Sequence, residues 1–130
     1  MYNTGTMSKI LFIEDDQLIV KIYTTRLQAD GHTVFSSYNG ADGIAIAQKE
    51  IPDLIVCDVM MPQMDGFEVL KRLKADEKTR HIIVLMYSNL AQEEEMKKAK
   101  ELGAAEFIVK ANISPVELVE KIKGYLTPAQ

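Results

Sequence analysis

The sequence has little that would support an extracellular, membrane-bound or nucleic-acid-binding protein. Its one cysteine, Cys57, allows no internal disulfide and no thiolate metal cage, which favours a reducing cytoplasm. The formal net charge of -4 leaves no basic stripe that would displace counterions from nucleic-acid phosphates. The longest apolar run is far too short to span a bilayer, and nothing near the N-terminus resembles a secretory signal. We therefore expect a cytoplasmic protein that binds neither nucleic acid nor membrane.

The composition favours one folded domain. The chain has 130 residues, of which 47% are hydrophobic and 26% are charged, values typical of globular rather than disordered proteins. No linker, low-complexity stretch or second-domain boundary interrupts the pattern. We expect a flexible lead over residues 1–8, one domain over residues 9–127 and a short tail over residues 128–130.

Short apolar runs alternate with segments of helical spacing. The runs predict strands at Lys9–Ile13, Thr33–Phe35, Leu54–Cys57, Ile82–Tyr87 and Glu106–Val109. Helices are predicted at about Gln17–Asp30, Gly40–Glu50, Gly66–Ala75 and Leu90–Leu102, and from a capping box at Ser114 to Leu126. Five repeated strand–helix units indicate an α/β fold, a parallel sheet with helices on both faces.

Three of the predicted helices carry apolar residues at helical spacing. The first repeats Ile19, Ile22, Tyr23 and Leu27, the third carries Phe67, Leu70 and Leu73, and the last repeats Val116, Val119, Ile122 and Leu126. The first and last repeats predict one apolar face on each helix.

Polar side chains follow four of the predicted strands. Glu14-Asp15-Asp16 follows the first strand, Asp58 the third, Ser88 the fourth and Lys110 the fifth. In a parallel open sheet, ligands bind just beyond the carboxyl ends of the strands. Carboxylates, a hydroxyl and an ammonium at one such edge suit a divalent cation next to a phosphoryl group, with Asp58 as the acceptor.

Each of these residues also has a simpler explanation. Asp15 or Asp16 can cap the first helix, Asp58 can begin a loop, and Lys110 can extend into solvent. The combination favours the functional interpretation, because unpaired charges at strand ends are expensive to bury.

Four segments together resemble the receiver domain of two-component response regulators, of the single-domain, chemotaxis-receiver-like kind. They are residues 10–16, 52–66, 84–88 and 103–110, in the order that the family has them. The resemblance implies a flavodoxin-like, doubly wound sheet of five parallel strands in the order 2-1-3-4-5. It also implies that Asp58 accepts a phosphoryl group from a sensor histidine kinase or a phosphotransfer protein and then acts on an unknown downstream target.

The resemblance also assigns the remaining site residues. It implies that Mg²⁺ is held by Glu14, Asp15, Asp58 and the backbone carbonyl of Met60. Ser88 hydrogen-bonds the phosphoryl oxygens, Lys110 pairs with them, and Asp16 serves as a cap. Phe107 stands where the family often has an aromatic residue that swings inward when Ser88 moves. Such a protein is not an enzyme on other substrates, since it catalyses only its own phosphorylation and dephosphorylation.

Three positions depart from the family pattern or add bulk to the site. Ala111 replaces the usual proline after the lysine, so we expect a trans Lys110–Ala111 bond. Met60 and Tyr87 are bulky, and we expect both to flank the phosphoryl site and to slow the attack of water.

Three other functions remain open. A degenerate receiver would bind partners without phosphorylation, although all five key positions are filled. An aspartate-based phosphohydrolase would need a second acid just beyond its nucleophile, which Asp58-Val59-Met60 does not provide. A flavin-binding module would need phosphate-binding donors after the first strand, where Glu14-Asp15-Asp16 has the wrong charge.

Overall fold

A five-stranded parallel sheet forms the centre of the molecule. The computed structural model describes residues 8–89 and 92–126. Its strands are β1 (Lys9–Ile13), β2 (Thr33–Ser37), β3 (Leu54–Asp58), β4 (Ile83–Ser88) and β5 (Glu106–Val109). They pair in the order β2-β1-β3-β4-β5, and all four pairings are parallel. The predicted flavodoxin-like strand order is confirmed.

Helices cover both faces of this sheet. They are α1 (Gln17–Ala29), α2 (Gly40–Glu50), α3 (Gly66–Ala75), α4 (Glu93–Glu101) and α5 (Pro115–Leu126), and a 3-10 turn spans Lys110–Asn112. Strand side chains alternate between two apolar layers, as the pleat requires. One layer lies against α1 and α5, and the other against α2, α3 and α4. No helix among the described residues is long and apolar enough to cross a bilayer.

The predicted element bounds agree closely with the structure. β1, β5, α2 and α3 have the predicted bounds, whereas β2 continues to Ser37 and β3 includes Asp58. Helix α4 begins at Glu93, and the predicted start at Leu90 lies outside the described residues. Residues 1–7 of the expected lead and the whole expected tail also lie outside them.

The predicted apolar faces of α1 and α5 were partly wrong. Ile22 is 40% exposed and Val116 is 53% exposed. The buried stripe of α1 is Val20, Tyr23 and Leu27, and Ile22 lies about 100° around the helix from Tyr23. The rotation of each helix against the sheet decides which edge of a wide apolar face is covered, and it depends on tertiary packing.

Candidate functional site

The alternation of side chains along the strands brings the predicted charged residues together. Phe12, Val56 and Ile108 all lie in the apolar layer beneath α1 and α5. Each of these residues is followed, two positions later in the sequence, by a charged residue: Glu14, Asp58 and Lys110. The alternation of β3 sends Asp58 to the same face as Val56, and the contacts of Lys110 with Asp58 and Glu14 show that all three side chains meet at the carboxyl edge. This edge is where a parallel sheet binds ligands.

Lys110 connects the two buried acids. Its Nζ lies 2.8 Å from Glu14 Oε1 and 3.4 Å from Asp58 Oδ2. The other carboxylate oxygens accept backbone N–H groups: Glu14 Oε2 from Asp16 at 3.1 Å and Asp58 Oδ1 from Met60 at 3.3 Å. Glu14 is 2% exposed and Asp58 is 5% exposed. The site therefore holds two desolvated carboxylates against one ammonium group.

The electrostatics of the site favour additional positive charge. Burial raises the pKa of Glu14 to about 7, although the Lys110 ammonium opposes the rise. Burial also raises the pKa of Asp58, again against the charge of Lys110. Burial by itself would lower the pKa of Lys110, but its ion pair with Glu14 and the Asp58 charge raise it overall. One lysine thus compensates only part of the cost of burying two carboxylates.

The acids form a group suited to a divalent cation. One carboxylate oxygen each from Glu14, Asp15 and Asp58 lie within 4.8 Å of one another. Asp15 is exposed, which leaves this group open to solvent. Glu14 Oε1 is buried and lacks a hydrogen bond of good geometry among the described residues, despite its ion pair with Lys110. A hard cation that takes carboxylate oxygens and keeps several waters fits this donor set.

The third acid of the first segment has a structural role. Asp16 is the N-cap of α1, and its Oδ1 accepts the backbone N–H groups of Leu18 at 3.1 Å and Ile19 at 3.3 Å. This agrees with the cap expected for Asp16 and separates it from the cation-binding group.

A tightly folded loop holds the backbone of Asp58. The Gly66 N–H donates to the Val59 carbonyl at 2.8 Å, which brings the start of α3 back onto the end of β3. A Cβ on Gly66 would collide with the Asp58 carbonyl oxygen and lie 2.8 Å from Val59 Cα. The side chain of Asp65 caps α3 through the Glu68 N–H at 3.0 Å. The backbone around Asp58 is therefore held from both sides.

The two predicted switch residues lie on adjacent strands. Ser88 ends β4, is 1% exposed and is in register with Val109 of β5. Phe107 is in register with Met86 and packs, partly buried, against the layer beneath α2, α3 and α4. Phe107 and Met96 of α4 line the same surface cleft. Strand β5 and helix α4 therefore lie next to each other at this cleft.

Tyr87 flanks the predicted site from beneath, since it is in register with Asp58 and its ring centroid lies 5.2 Å from Lys110 Nζ. Its ring is buried in the layer beneath α1 and α5, and its hydroxyl oxygen is 2.9 Å from that of Tyr23. The reason is the pleat, which sends Tyr87 into the same layer as Leu85. The expected slowing of water attack by Tyr87 and Met60 stays a prediction, and Met60 is 63% exposed just after Asp58.

The hydroxyl pair of Tyr23 and Tyr87 was not predicted from the sequence. A buried tyrosine usually needs a hydrogen-bond partner for its hydroxyl. Two tyrosines at apolar positions of the sequence could have suggested that they pair with each other. The expected trans Lys110–Ala111 bond agrees with the structure, which has no cis peptide among the described residues.

Comparison with known proteins assigns the chain to a family. The family model for the response regulator receiver domain matches residues 10–123. The polar-differentiation response regulator DivK of Brucella anthropi is 32% identical over 120 residues, which cover 92% of this chain and 97% of DivK. The response regulator PleD of Caulobacter vibrioides is 34% identical over 117 residues, which cover 90% of this chain but only 26% of PleD.

Solved structures show the same fold. A CheY-like receiver domain protein from Methanospirillum hungatei superimposes with a TM-score of 0.85 at 27% identity, covering 92% of this chain and 94% of the other. The chemotaxis protein CheY4 of Vibrio cholerae gives a TM-score of 0.84 at 29% identity, covering 92% and 98%.

Proposed function

Because this chain belongs to the response regulator receiver domain family of phosphoacceptor switches, we propose that Asp58 receives its phosphoryl group from a histidine of a partner kinase or phosphotransfer protein. The position of Asp58 supports this assignment. It is the buried carboxylate at the end of the central strand, 3.4 Å from Lys110 and in one group with Glu14 and Asp15.

The chain's own groups account for the transfer. A carboxylate oxygen of Asp58 forms the new bond to phosphorus and the phosphorus–nitrogen bond of the donor breaks. The imidazole nitrogen leaves with the electron pair of that bond and takes a proton from water. Lys110 places a fixed ammonium beside the incoming phosphoryl oxygens, and the Ser88 hydroxyl donates a hydrogen bond to one of them. Positioning and charge stabilisation supply most of the catalysis in such a transfer.

We assign Mg²⁺ to the acidic group. Glu14, Asp15, Asp58 and the backbone carbonyl of Met60 would hold it, and it would neutralise charge on the transferred oxygens. The raised pKa of buried Glu14 supports this assignment, since the site lacks sufficient positive charge. The exposure of Asp15 leaves the ligand group accessible.

The protein then acts by contact rather than by turnover. It catalyses only its own phosphorylation and dephosphorylation, in the cytoplasm, and passes the signal to a downstream protein partner. The surface that changes is formed by α4, β5 and α5.

Labelling with a small phosphodonor tests the assignment. Acetyl phosphate with Mg²⁺ should add one phosphoryl group to the protein, seen by intact-mass analysis. Asp58→Asn, which keeps the size of the side chain but removes the nucleophilic carboxylate, should remain unlabelled. Equal labelling of both proteins would refute the assignment of Asp58. A folded wild-type protein that never labels would favour a receiver that works without phosphorylation.

A further inference from the structure

A buried pair of tyrosines lies next to the lysine of the acceptor site. Tyr23 of α1 and Tyr87 of β4 are each 4% exposed. Their hydroxyl oxygens are 2.9 Å apart, and their rings meet edge to face with centroids 6.1 Å apart. Tyr23 also stacks on Phe12, with ring centroids 5.7 Å apart. The Tyr87 ring is therefore held by α1 and the sheet together.

The Tyr87 ring is a third partner of the Lys110 ammonium. Nζ lies 5.2 Å from the ring centroid, in addition to its contacts with Glu14 at 2.8 Å and Asp58 at 3.4 Å. A cation within about 6 Å of an aromatic ring, over its face, is attracted by the ring quadrupole. The attraction is stronger where water is excluded, and the Lys110 side chain is only 16% exposed.

The three partners of Lys110 differ in how they respond to the reaction. The charges at Glu14 and Asp58 change when a cation joins them or when Asp58 becomes phosphorylated, so their pull on Lys110 changes as well. The Tyr87 ring is neutral and keeps the same attraction throughout. A lysine on a flexible four-carbon stem needs such a constant contact to stay oriented.

We propose that Tyr87 is a positioning residue, which holds the Lys110 ammonium beside Asp58 through its ring face, and that Tyr23 fixes that ring through the hydroxyl pair. Tyr87 acts through Lys110 rather than on the phosphoryl group. The proposal rests on the proposed function, in which Lys110 stabilises the transferred phosphoryl oxygens.

Exchanging the ring at position 87 tests the proposal. Tyr87→Phe keeps the ring and loses the hydroxyl, and Tyr87→Leu loses the ring. Replacing Tyr87 with pentafluorophenylalanine keeps the ring's shape but removes its negative face, which gives a matched comparison with Tyr87→Phe if the leucine variant does not fold. The readouts are the initial rate of labelling by acetyl phosphate at saturating Mg²⁺, and the NMR shifts and mobility of the Lys110 side chain.

Tyr87→Phe and the fluorinated variant should differ clearly in their labelling rates. We expect Tyr87→Phe to label within about twofold of wild type, and the fluorinated and leucine variants to label about three- to tenfold more slowly, the loss expected for one cation–π contact. Lys110 should become more mobile in the two slow variants. Tyr23→Phe should give a smaller increase in Lys110 mobility, because the Tyr87 ring remains.

Val119→Ala serves as the control for loosened packing. Val119 lies in the same apolar layer and is as buried as Tyr87, at 4% exposed. The Val119→Ala substitution should lower stability without slowing labelling. The positioning role would be overturned if the fluorinated variant and Tyr87→Phe labelled at equal rates and the Lys110 resonances were unchanged. Labelling of the wild type would still support the proposed function in that case. Absence of wild-type labelling would instead refute the proposed function, and the Lys110 resonances alone would then decide whether the ring orients the lysine.

Discussion

At the scale of single residues, the proposed function gives Asp15 and Lys110 separate roles, cation binding and phosphoryl stabilisation. Asp15 belongs to the oxygen group that fits a cation, whereas Lys110 is the positive charge 2.8 Å from Glu14. Asp15→Asn should weaken Mg²⁺ binding at least several-fold and slow labelling with it, because it removes one anionic ligand. Lys110→Ala should keep or strengthen Mg²⁺ binding, because a nearby like charge is gone, while labelling is lost.

Titration of Mg²⁺ followed by NMR or fluorescence measures both effects. Asp53→Asn is the matched control, since Asp53 accepts the Lys9 N–H at 2.8 Å at the opposite end of β1 and β3. It should leave the Mg²⁺ affinity unchanged. A Lys110→Ala protein that no longer binds Mg²⁺ would contradict the separate roles.

At the scale of elements, the junction between β3 and α3 depends on glycine. Gly66→Ala would place a Cβ against the backbone of Asp58 and Val59, which cannot move aside as a flexible side chain would. We expect a loss of about 1–3 kcal/mol in the free energy of unfolding, together with slower labelling of the displaced Asp58. Gly124→Ala is the control, because nothing lies within 4 Å of its Cβ in α5, and it should stabilise the helix by about 0.5–1 kcal/mol. Urea denaturation measures both changes, and an equal effect of the two substitutions would contradict the close approach at Gly66.

A second prediction at this scale concerns the coupling of β4, β5 and α4. A phosphoryl mimic on Asp58 should attract the Ser88 hydroxyl, and the movement should make room for Phe107 to pack inward. Phe107 has no hydroxyl, so its two states differ by packing alone. Because the anion can shift this equilibrium only through its differential interaction with the two states, the populations should respond to beryllofluoride.

NMR shift mapping with beryllofluoride checks this coupling. Resonances of Phe107 and of α4 should move in the wild type and remain fixed in Asp58→Asn. Changes confined to the neighbours of Asp58 would show that this route does not operate.

At the scale of the whole molecule, the sequence predicts the layout of the site better than the packing beneath it. Strand ends were predictable because apolar runs stop at Asp58 and Lys110, and a parallel sheet brings such ends to one edge. Asn39 and Asp65 cap helices α2 and α3, and a polar side chain of this kind just before a helical pattern is a signal that the sequence itself carries. The exposure of Ile22 and the pairing of Tyr23 with Tyr87 depend on how α1 rotates against the sheet, which periodicity alone does not define.

The stability of the metal-free protein should depend on the charge of the buried acids at the carboxyl edge of the sheet. Burial raises the pKa of Glu14 from 4.5 to about 7, so between these values the folded chain holds more protons than the unfolded chain. Stability should therefore fall as the pH rises from about 4.5, by an amount on the order of 3 kcal/mol, and most of the loss should be complete once the pH exceeds about 7. Burial lowers the pKa of His32, so this residue makes stability rise with pH, opposite to the effect of Glu14. The contribution of Glu14 is therefore best measured as the difference in stability between wild type and Glu14→Gln.

Urea denaturation across this pH range, with and without Mg²⁺, measures that difference. In the absence of metal, Glu14→Gln should be the more stable protein at pH 8 and should lose its advantage near pH 5, where the wild-type carboxyl is protonated. Added Mg²⁺ should stabilise the wild type most at pH 8, since a cation that binds only the folded state adds its binding free energy to folding. A wild type whose stability matches Glu14→Gln at every pH would mean that Lys110 already compensates the buried carboxylates fully, and the case for a cation at this edge would lose its electrostatic basis.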